Sequence, residues 1–260
     1  LSEDVKKQYS YSSVADNLGY NWVEQERLSP NKPGDLKEAF NWKSPHSMKN
    51  QYWPMEIPEF KSLAQKILRI AQLLSHEFLY KFENILSVPR GKLLEQHIDG
   101  SDTIRILHYP PYSGEIKKDQ MRINEHTDYG SITLLWRFDD VPGLQVFDRG
   151  KEEWIDVPMI ENSIVLNVGD MLQRWTNDLL KSTPHRVINT EMTRSRYSMP
   201  YFVDPGRDVI IDNLTDQTDK YPPISASEYL KWRLAQSYTD NNYIENEDVA
   251  AEGAKYITNY

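Results

Sequence analysis

The fold is decided by a stretch in the middle of the chain, HTDYGSITLLW at residues 126–136. The turn residues Tyr129-Gly130-Ser131 lead into the short apolar run Ile132–Trp136, and a run of this kind after a turn is typical of a β-strand. Similar runs recur outward in both directions, separated by turns such as Pro110-Pro111 and Gly169-Asp170. The predicted strands are Thr103–Tyr109, Ile132–Trp136, Gly143–Phe147, Trp154–Val157, Ile164–Val168, His185–Asn189, Arg196–Val203 and Val209–Ile211.

Many short strands closed by turns indicate a sandwich or a barrel, and a double-stranded β-helix (jelly roll) fits their number. The predicted fold class is therefore mainly β with flanking α. A long helix of about seven turns is predicted after Pro58, packed against the jelly roll, because apolar residues recur every three or four positions. This stripe consists of Phe60, Leu63, Ile67, Ile70, Leu74, Phe78, Phe82 and Ile85.

A second helix is predicted near residues 226–238, where Ser225 and Glu228 form a capping box. No internal repeat or low-complexity linker interrupts the chain, so we predict one domain over residues 1–260. Its parts are a helical and irregular N-terminal part (1–100), a jelly-roll core (101–212), and a C-terminal helix and tail (213–260).

Composition excludes several classes of function. The chain has 30 basic and 39 acidic side chains, a formal net charge of −9, which argues against a nucleic-acid or anionic-membrane partner. No stretch approaches the roughly 20 apolar residues of a membrane span, and Leu1–Ser13 is too polar for a signal peptide. Cysteine is absent, which removes disulfides, thiolate catalysis and Cys-based zinc sites and favours a cytoplasmic location.

Two His-x-Asp triplets compete as metal ligands. His97 and Asp99 run into a turn, where nothing fixes both side chains on one side. His126 and Asp128 instead enter the predicted strand that ends at Trp136, and the two-residue period of a strand would place both on the same face. The second triplet is therefore the predicted ligand pair.

A third ligand is predicted at His185, because Val187 and Ile188 mark the residues after it as a strand. Of the remaining histidines, His76 lies on the long helix, His46 in a loop, and His108 on a strand where it could line a pocket. Two imidazoles and one carboxylate are the ligand set that holds non-haem Fe(II) on one face and leaves its other positions open.

Arg196 and Ser198 share one face of a predicted strand, with Tyr197 on the other. A buried guanidinium needs an anion, because an unpaired buried charge costs several kcal/mol. A bound carboxylate with a hydroxyl beside it would satisfy this need, and a structural ion pair with an Asp or Glu is the alternative.

These motifs together resemble the Fe(II)- and 2-oxoglutarate-dependent dioxygenases of the isopenicillin N synthase-like superfamily. The resemblance runs from about Tyr20 to Tyr238. Residues 102–111 resemble the strand that lines the cosubstrate pocket, 126–131 the iron motif, and 196–198 the motif that holds the C5 carboxylate of 2-oxoglutarate. Residues 143–146, 167–170 and 176–178 resemble the segments between them. Leu107 replaces an Asn found in many plant members, and the Leu-His-Tyr-Pro-Pro version resembles the fungal and microbial branch. The helix and two strands that usually precede Tyr20 in the family have no counterpart here.

The resemblance implies Fe(II) bound by His126, Asp128 and His185, and 2-oxoglutarate bound by Arg196, Ser198 and Tyr109. It also implies O2 as co-reactant, ascorbate as a supporting reductant, succinate and CO2 as products, and a small-molecule substrate. The substrate C–H bond would be hydroxylated, desaturated or used for ring formation, in natural-product tailoring or in a pyrimidine-type hydroxylation. Candidate substrate contacts are Met121, Arg122, Asn124, Tyr112, Trp175 and the 226–238 helix.

Three alternatives use the same residues differently. An oxidase like isopenicillin N synthase would use no 2-oxoglutarate, and its Arg196 and Ser198 would hold the substrate's own carboxylate. A non-catalytic jelly-roll protein would be expected to have lost a metal ligand, and none is lost. A zinc hydrolase could use the same three ligands, but Arg196 and Ser198 would then have no evident role.

Overall fold

The computed structural model describes residues 1–10, 17–28, 32–44, 53–215 and 220–237. Its helices are α1 (Glu3–Lys7), α2 (Phe60–Leu86), α3 (Asp170–Trp175) and α4 (Ala226–Ser237), with a 3-10 turn at Leu94–His97. Its strands are β1 (Gly19–Asn21), β2 (Glu38–Lys43), β3 (Thr103–Tyr109), β4 (Ile123–His126), β5 (Ile132–Arg137), β6 (Leu144–Asp148), β7 (Glu153–Asp156), β8 (Val165–Val168), β9 (His185–Val187), β10 (Arg196–Val203), β11 (Ile210–Ile211) and β12 (Ile224–Ser225).

Most of the strands form two antiparallel sheets. The major sheet has the order β1-β2-β3-β10-β5-β8, the minor sheet has the order β4-β9-β6-β7, and β11 and β12 form a separate pair. Residues of both sheets meet in one cluster of buried apolar side chains, so the sheets face each other. The predicted mainly β jelly roll is therefore confirmed.

The other face of the major sheet carries the larger core. Ile104, Leu134 and Tyr201 point to this face from three neighbouring strands and are fully buried against α2, α3 and α4. Because side chains alternate along a strand, Arg105, Tyr109, Arg196 and Ser198 point the opposite way, between the sheets. Each fully buried Leu or Ile contributes about 1.5–3 kcal/mol, so packing of the helices on this face stabilises the major sheet.

The long helix is confirmed, and the predicted stripe is partly correct. Five of its eight residues are buried or pack against the core, namely Phe60, Ile67, Leu74, Phe78 and Phe82. Leu63, Ile70 and Ile85 of the predicted stripe are 55%, 49% and 67% exposed. The buried line along α2 consists of Ala64, Leu68, Ala71, Ser75, Leu79, Phe82 and Glu83. Small residues let the helix approach the sheet closely, and a pattern that counts only large apolar residues does not register them.

Four strands were not predicted, and several strand ends differ by one or two residues. β1 and β2 extend the major sheet, and β2 pairs with β3 from Glu38↔His108 to Lys43↔Thr103. β4 ends at His126, the first residue of the 126–136 stretch, and the later part of that stretch forms β5. β12 pairs with β11. The Ser225 half of the predicted capping box is confirmed, since Ser225 Oγ accepts a hydrogen bond from the Glu228 N–H at 3.2 Å, while the Glu228 carboxylate accepts from the Ser225 hydroxyl at 2.8 Å. His46 and the tail from Asp240 lie outside the described residues.

Within the described ranges, no helix combines the length and the apolar character needed to cross a membrane.

Candidate active site

His126 and His185 are neighbours because their strands pair. His126 ends β4 and His185 begins β9, and the two residues are direct partners in the antiparallel register. Their ring centroids are 4.2 Å apart and the planes are tilted by 51°. The backbone pairing of the minor sheet therefore brings together two imidazoles that are far apart in sequence.

Asp128 approaches the two imidazoles from a loop. The prediction that a strand carries both His126 and Asp128 is wrong, since Thr127 and Asp128 lie in the irregular segment between β4 and β5. This segment crosses from the minor to the major sheet. Asp128 Oδ1 nevertheless lies 3.7 Å from His185 Nε2. One ligand atom from each of His126, Asp128 and His185 lies within 4.8 Å of the others.

Backbone contacts hold this loop in place. The Asp170 N–H donates to the carbonyl of Asp128 at 2.8 Å, and the Gly169 N–H donates to the carbonyl of Ser131 at 2.9 Å. A Cβ atom on Gly169 would lie 2.3 Å from the carbonyl oxygen of Gly130, so only glycine permits this approach. The turn before α3 thus fixes the position of the Asp128 carboxylate.

Both imidazoles are oriented by backbone carbonyls. His126 Nδ1 lies 2.8 Å from the carbonyl of Asn124, and His185 Nδ1 lies 3.1 Å from that of Thr183. A carbonyl can only accept, so each Nδ1 carries a proton, and in a neutral ring this leaves the Nε2 lone pair available to a metal ion. This is the arrangement in which metal-bound histidines are held.

The electrostatics favour a cation among the three residues. Burial, together with the neighbouring His185, lowers the pKa of His126 to about 3, so this ring is neutral at neutral pH. Burial tends to raise the pKa of Asp128, but His185, His126 and the hydrogen bond from Asn167 outweigh it, and the pKa lies below its usual range. A neutral imidazole next to a carboxylate fits a divalent metal ion.

Arg196, Ser198 and Tyr109 form the opposite end of the site. Arg196 is the register partner of Tyr109 on the adjacent strand, and its guanidinium carbon lies 4.6 Å from the centroid of that ring. The Tyr109 and Ser198 hydroxyls are 3.4 Å apart. Arg196 is 2% exposed, its buried Nη1 has no hydrogen-bond partner, and no carboxylate of a described residue lies within 4.0 Å of it. The arrangement fits an anion such as a carboxylate.

One cavity of about 280 Å³ between the sheets joins both ends. It is lined by all six predicted site residues, His126, Asp128, His185, Arg196, Ser198 and Tyr109. A smaller cavity of about 60 Å³ shares the wall formed by Leu28, Arg105, His126, Asp128 and Phe202. Leu230 and Leu234 of α4 close this smaller cavity.

Several predicted pocket residues lie elsewhere. Trp175 is buried in the helix-side core, because α3 packs on the far face of the major sheet. His108 points away from the cavity, where its Nδ1 lies 2.7 Å from Glu38 and its ring stacks on Tyr197. Met121 and Tyr112 do not line the cavity, and Arg122 lies behind Tyr109.

The rejected triplet residue His97 is a buried structural residue. Its ring bridges the carbonyl of Leu93 and the hydroxyl of Ser131, each at 2.8 Å. Burial lowers its pKa to about 4.

Two residues that face the site were not predicted from the sequence. Asn167 donates from Nδ2 to Asp128 Oδ2 at 2.7 Å. Arg105 lines both cavities and donates to Glu26 at 3.1 Å and to Asn41 at 2.8 Å. Arg105 could have been found, because it shares a strand face with Tyr109, whereas no local signal links Asn167 to Asp128.

Comparison with known proteins gives consistent matches. Residues 101–205 match the family described as the 2OG-Fe(II) oxygenase superfamily. The chain is 31% identical over 243 residues to the 2-oxoglutarate-Fe(II) type oxidoreductase hxnY of Emericella nidulans, a match that covers 85% of this chain and 69% of that relative. It is 33% identical over 241 residues to the proline hydroxylase buaE of Petromyces alliaceus, covering 85% and 75%.

Solved structures agree with these relatives. A full-length Neurospora crassa protein in complex with alpha-KG (2-oxoglutarate) and thymine superimposes with a TM-score of 0.80 at 30% identity, over 90% of this chain and 78% of that chain. The complex of the same protein with alpha-KG alone superimposes with a TM-score of 0.79 at 31% identity. The cavity described above thus lies in a fold similar to that of a protein crystallised with 2-oxoglutarate.

Proposed function

Because this chain belongs to the 2OG-Fe(II) oxygenase superfamily and is a dioxygenase dependent on Fe(II) and 2-oxoglutarate, we propose that His126, Asp128 and His185 bind its iron. The observation that carries this proposal is the convergence of the three ligand atoms within 4.8 Å on one wall of the cavity between the sheets. Two imidazoles and one carboxylate leave the remaining positions of the metal for the cosubstrate and O2.

Arg196, Ser198 and Tyr109 bind the C5 carboxylate of 2-oxoglutarate in this proposal. The support is the buried guanidinium without a carboxylate partner among the described residues, with two hydroxyls beside it. A guanidinium binds a carboxylate through two parallel hydrogen bonds, and the hydroxyls add further donors. The carboxylate would then neutralise a charge that is costly to bury alone.

Fe(II), when bound, supplies the activation of O2 that couples decarboxylation of 2-oxoglutarate, to succinate and CO2, with oxidation of a substrate C–H bond. The chain's own residues orient the reactants. The carbonyls of Asn124 and Thr183 hold the two imidazoles, and Asn167 holds the carboxylate of Asp128. Ascorbate would support turnover by keeping the iron reduced.

The substrate is a small organic molecule, and we place it in the smaller cavity beside His126 and Asp128. Its walls are apolar at Leu28 and Phe202 and polar at Arg105 and Glu26. An apolar slot with one charged wall suits a small ring compound with a polar edge. The thymine complex of the Neurospora crassa protein and the proline hydroxylase buaE support hydroxylation of a compound of this kind.

An oxidase like isopenicillin N synthase, which uses no 2-oxoglutarate, is not favoured. The relatives hxnY and buaE are a 2-oxoglutarate-Fe(II) type oxidoreductase and a proline hydroxylase, and a similar structure contains alpha-KG.

The test measures iron retention and 2-oxoglutarate turnover separately. Purified wild type, His126→Ala and His185→Ala are loaded with Fe(II) without oxygen, and bound iron is measured after gel filtration. His76→Ala is the matched control, because His76 lies on α2 outside both cavities. We expect about one iron per chain in wild type and control and little in the other two variants. Full iron retention in either would refute the ligand assignment, and no succinate from wild type with 2-oxoglutarate, iron and ascorbate in air would refute the cosubstrate assignment.

A further inference from the structure

A second buried guanidinium lies beside the proposed carboxylate site. Arg122 directly precedes β4, and its side chain is almost fully buried. Its guanidinium carbon lies 5.9 Å from the centroid of the Tyr109 ring, next to which Arg196 also lies. The guanidinium groups of both arginines therefore lie near the ring of Tyr109, and of the two only Arg196 lines the cavity.

The hydrogen bonds of Arg122 do not neutralise its charge. Nη2 donates to the carbonyl of Glu191 at 2.6 Å, Nη1 donates to that of Pro110 at 3.4 Å, and the buried Nε has no partner. No carboxylate of the described residues lies within 4.0 Å, although Glu191 and Asp139 act on it from farther away. Carbonyl oxygens satisfy the donors, but the positive charge stays without a counter-ion in direct contact.

The two arginines act on each other electrostatically. Burial lowers the pKa of Arg122, and the charge of Arg196 lowers it further. Two like charges held together in a poorly solvated region destabilise the folded protein unless an anion lies near them. A purely structural cross-link between Pro110 and Glu191 needs hydrogen-bond donors and does not need this charge.

We infer that Arg122 is a positioning residue that adds a positive charge to the Arg196 end of the cavity, where Arg137 also lies as the register partner of Ser198, and so favours 2-oxo acids that carry a second carboxylate. This inference rests on the proposed function. Arg122 would act through the field at the carboxylate and through Tyr109, whose ring centroid lies 5.9 Å from its guanidinium carbon, because Arg122 does not line the cavity. The chain would therefore distinguish 2-oxoglutarate from a monocarboxylic 2-oxo acid more strongly than Arg196, Ser198 and Tyr109 alone allow.

Binding constants without turnover test this inference. The Fe(II)-loaded protein is titrated calorimetrically in the absence of oxygen with 2-oxoglutarate and with 2-oxopentanoate, which has the same carbon chain without the C5 carboxylate. We expect Arg122→Gln to raise the Kd of 2-oxoglutarate about tenfold, on the order of 1.4 kcal/mol, and to change the Kd of 2-oxopentanoate less than about twofold. Arg122→Lys keeps the charge and should keep the ratio of the two constants within about threefold of wild type.

Arg174→Gln is the matched control. Arg174 is also buried and donates to a backbone carbonyl, that of Pro222, but it lies on α3 outside the cavity. Its removal should lower the melting temperature without changing the ratio of the two constants.

Three outcomes would overturn the inference. Arg122→Gln could weaken both ligands equally, which indicates a structural role, or it could change neither constant. If Arg122→Gln does not fold, loss of the 2-oxoglutarate preference in folded Arg122→Lys would contradict a role of charge. Failure of wild type to bind 2-oxoglutarate would instead overturn the proposed function.

Discussion

Asn167 donates a hydrogen bond from Nδ2 to Oδ2 of Asp128 at 2.7 Å, while Oδ1 of the same carboxylate faces His185 Nε2 at 3.7 Å. The two carboxylate oxygens therefore have different surroundings. One is occupied by an amide, and the other is directed to the point where the two imidazoles converge. This geometry favours a carboxylate that binds a metal ion through a single oxygen.

Replacing Asn167 should weaken metal binding while the fold is kept. In Asn167→Ala, Asp128 loses its orienting partner, and we expect the Kd for Fe(II) or Co(II) to rise about 10- to 100-fold. Titration of the protein with either metal ion in the absence of oxygen measures this Kd. Asn189→Ala is the control, because Asn189 donates to the carbonyl of Gln120 at a distance from the three ligands. An Asn167→Ala protein with wild-type metal affinity would show that the carboxylate is held by other contacts.

Removing the Arg196 charge should mainly raise the KM for 2-oxoglutarate. A charge-assisted hydrogen bond contributes about 1.5–3 kcal/mol, so Arg196→Gln should raise the KM for 2-oxoglutarate roughly 10- to 100-fold, with a smaller change in kcat. Tyr109→Phe, which loses one hydroxyl, should raise this KM less. Succinate release as a function of 2-oxoglutarate concentration measures both. An unchanged KM in Arg196→Gln would move the carboxylate site elsewhere.

His97 should make stability depend on pH. Burial lowers its pKa from 6.5 to about 4, so the unfolded chain takes up a proton at a pH where the folded protein does not. The contribution of the neutral ring is therefore present above pH 6.5 and is lost as the pH falls towards 4, with a total of about 3 kcal/mol.

The comparison of wild type with His97→Gln isolates this contribution. Asp102 has a pKa raised by burial to about 7 and acts in the opposite direction, but it is present in both proteins. Between pH 7 and pH 4, the free energy of unfolding measured with urea should fall more steeply in wild type than in His97→Gln. Parallel curves would show that His97 does not titrate in this range.

Two substitutions test which face of α2 is buried: one enlarges a buried residue, and the other truncates an exposed residue. Ala71 is fully buried against the sheet, and Ala71→Leu should lower the free energy of unfolding by about 1–3 kcal/mol through overpacking. Leu63→Ala removes a large side chain that is 55% exposed and should cost less. Urea unfolding at neutral pH measures both. A larger loss in Leu63→Ala would favour the apolar stripe predicted from the sequence.

The local sequence predicted the individual strands better than it predicted which strands and loops lie next to each other. β3 and β10 have the predicted bounds, because β-branched and aromatic residues between clear turns specify a strand by themselves. His126 and Asp128 do lie on the same side, but through a loop between two sheets, which a strand period cannot describe. The contact of Asn167 with Asp128 depends on the pairing of β8 with β5, and that pairing is not encoded within either segment.

β2 was missed for a related reason. Glu38, Asn41 and Lys43 give it the polarity of a surface segment, yet Asn41 and Lys43 are buried. Asn41 accepts a hydrogen bond from Arg105 of the next strand at 2.8 Å. Polar residues that are satisfied only by distant partners look like loop residues when they are considered alone.

The imidazoles belong to the minor sheet and the guanidinium of Arg196 to the major sheet, so the space between them is set by how far apart the two layers of the sandwich stand. Ala39 and Leu107 on one layer and Ile123, Leu144 and Val187 on the other act as the spacer. In the proposed binding mode a dicarboxylate would reach from one layer to the other, so its length would have to match this separation. Enlarging or trimming the spacer side chains should shift the preference towards a homologue one methylene longer or shorter, with Arg196 and the three proposed iron ligands left unchanged.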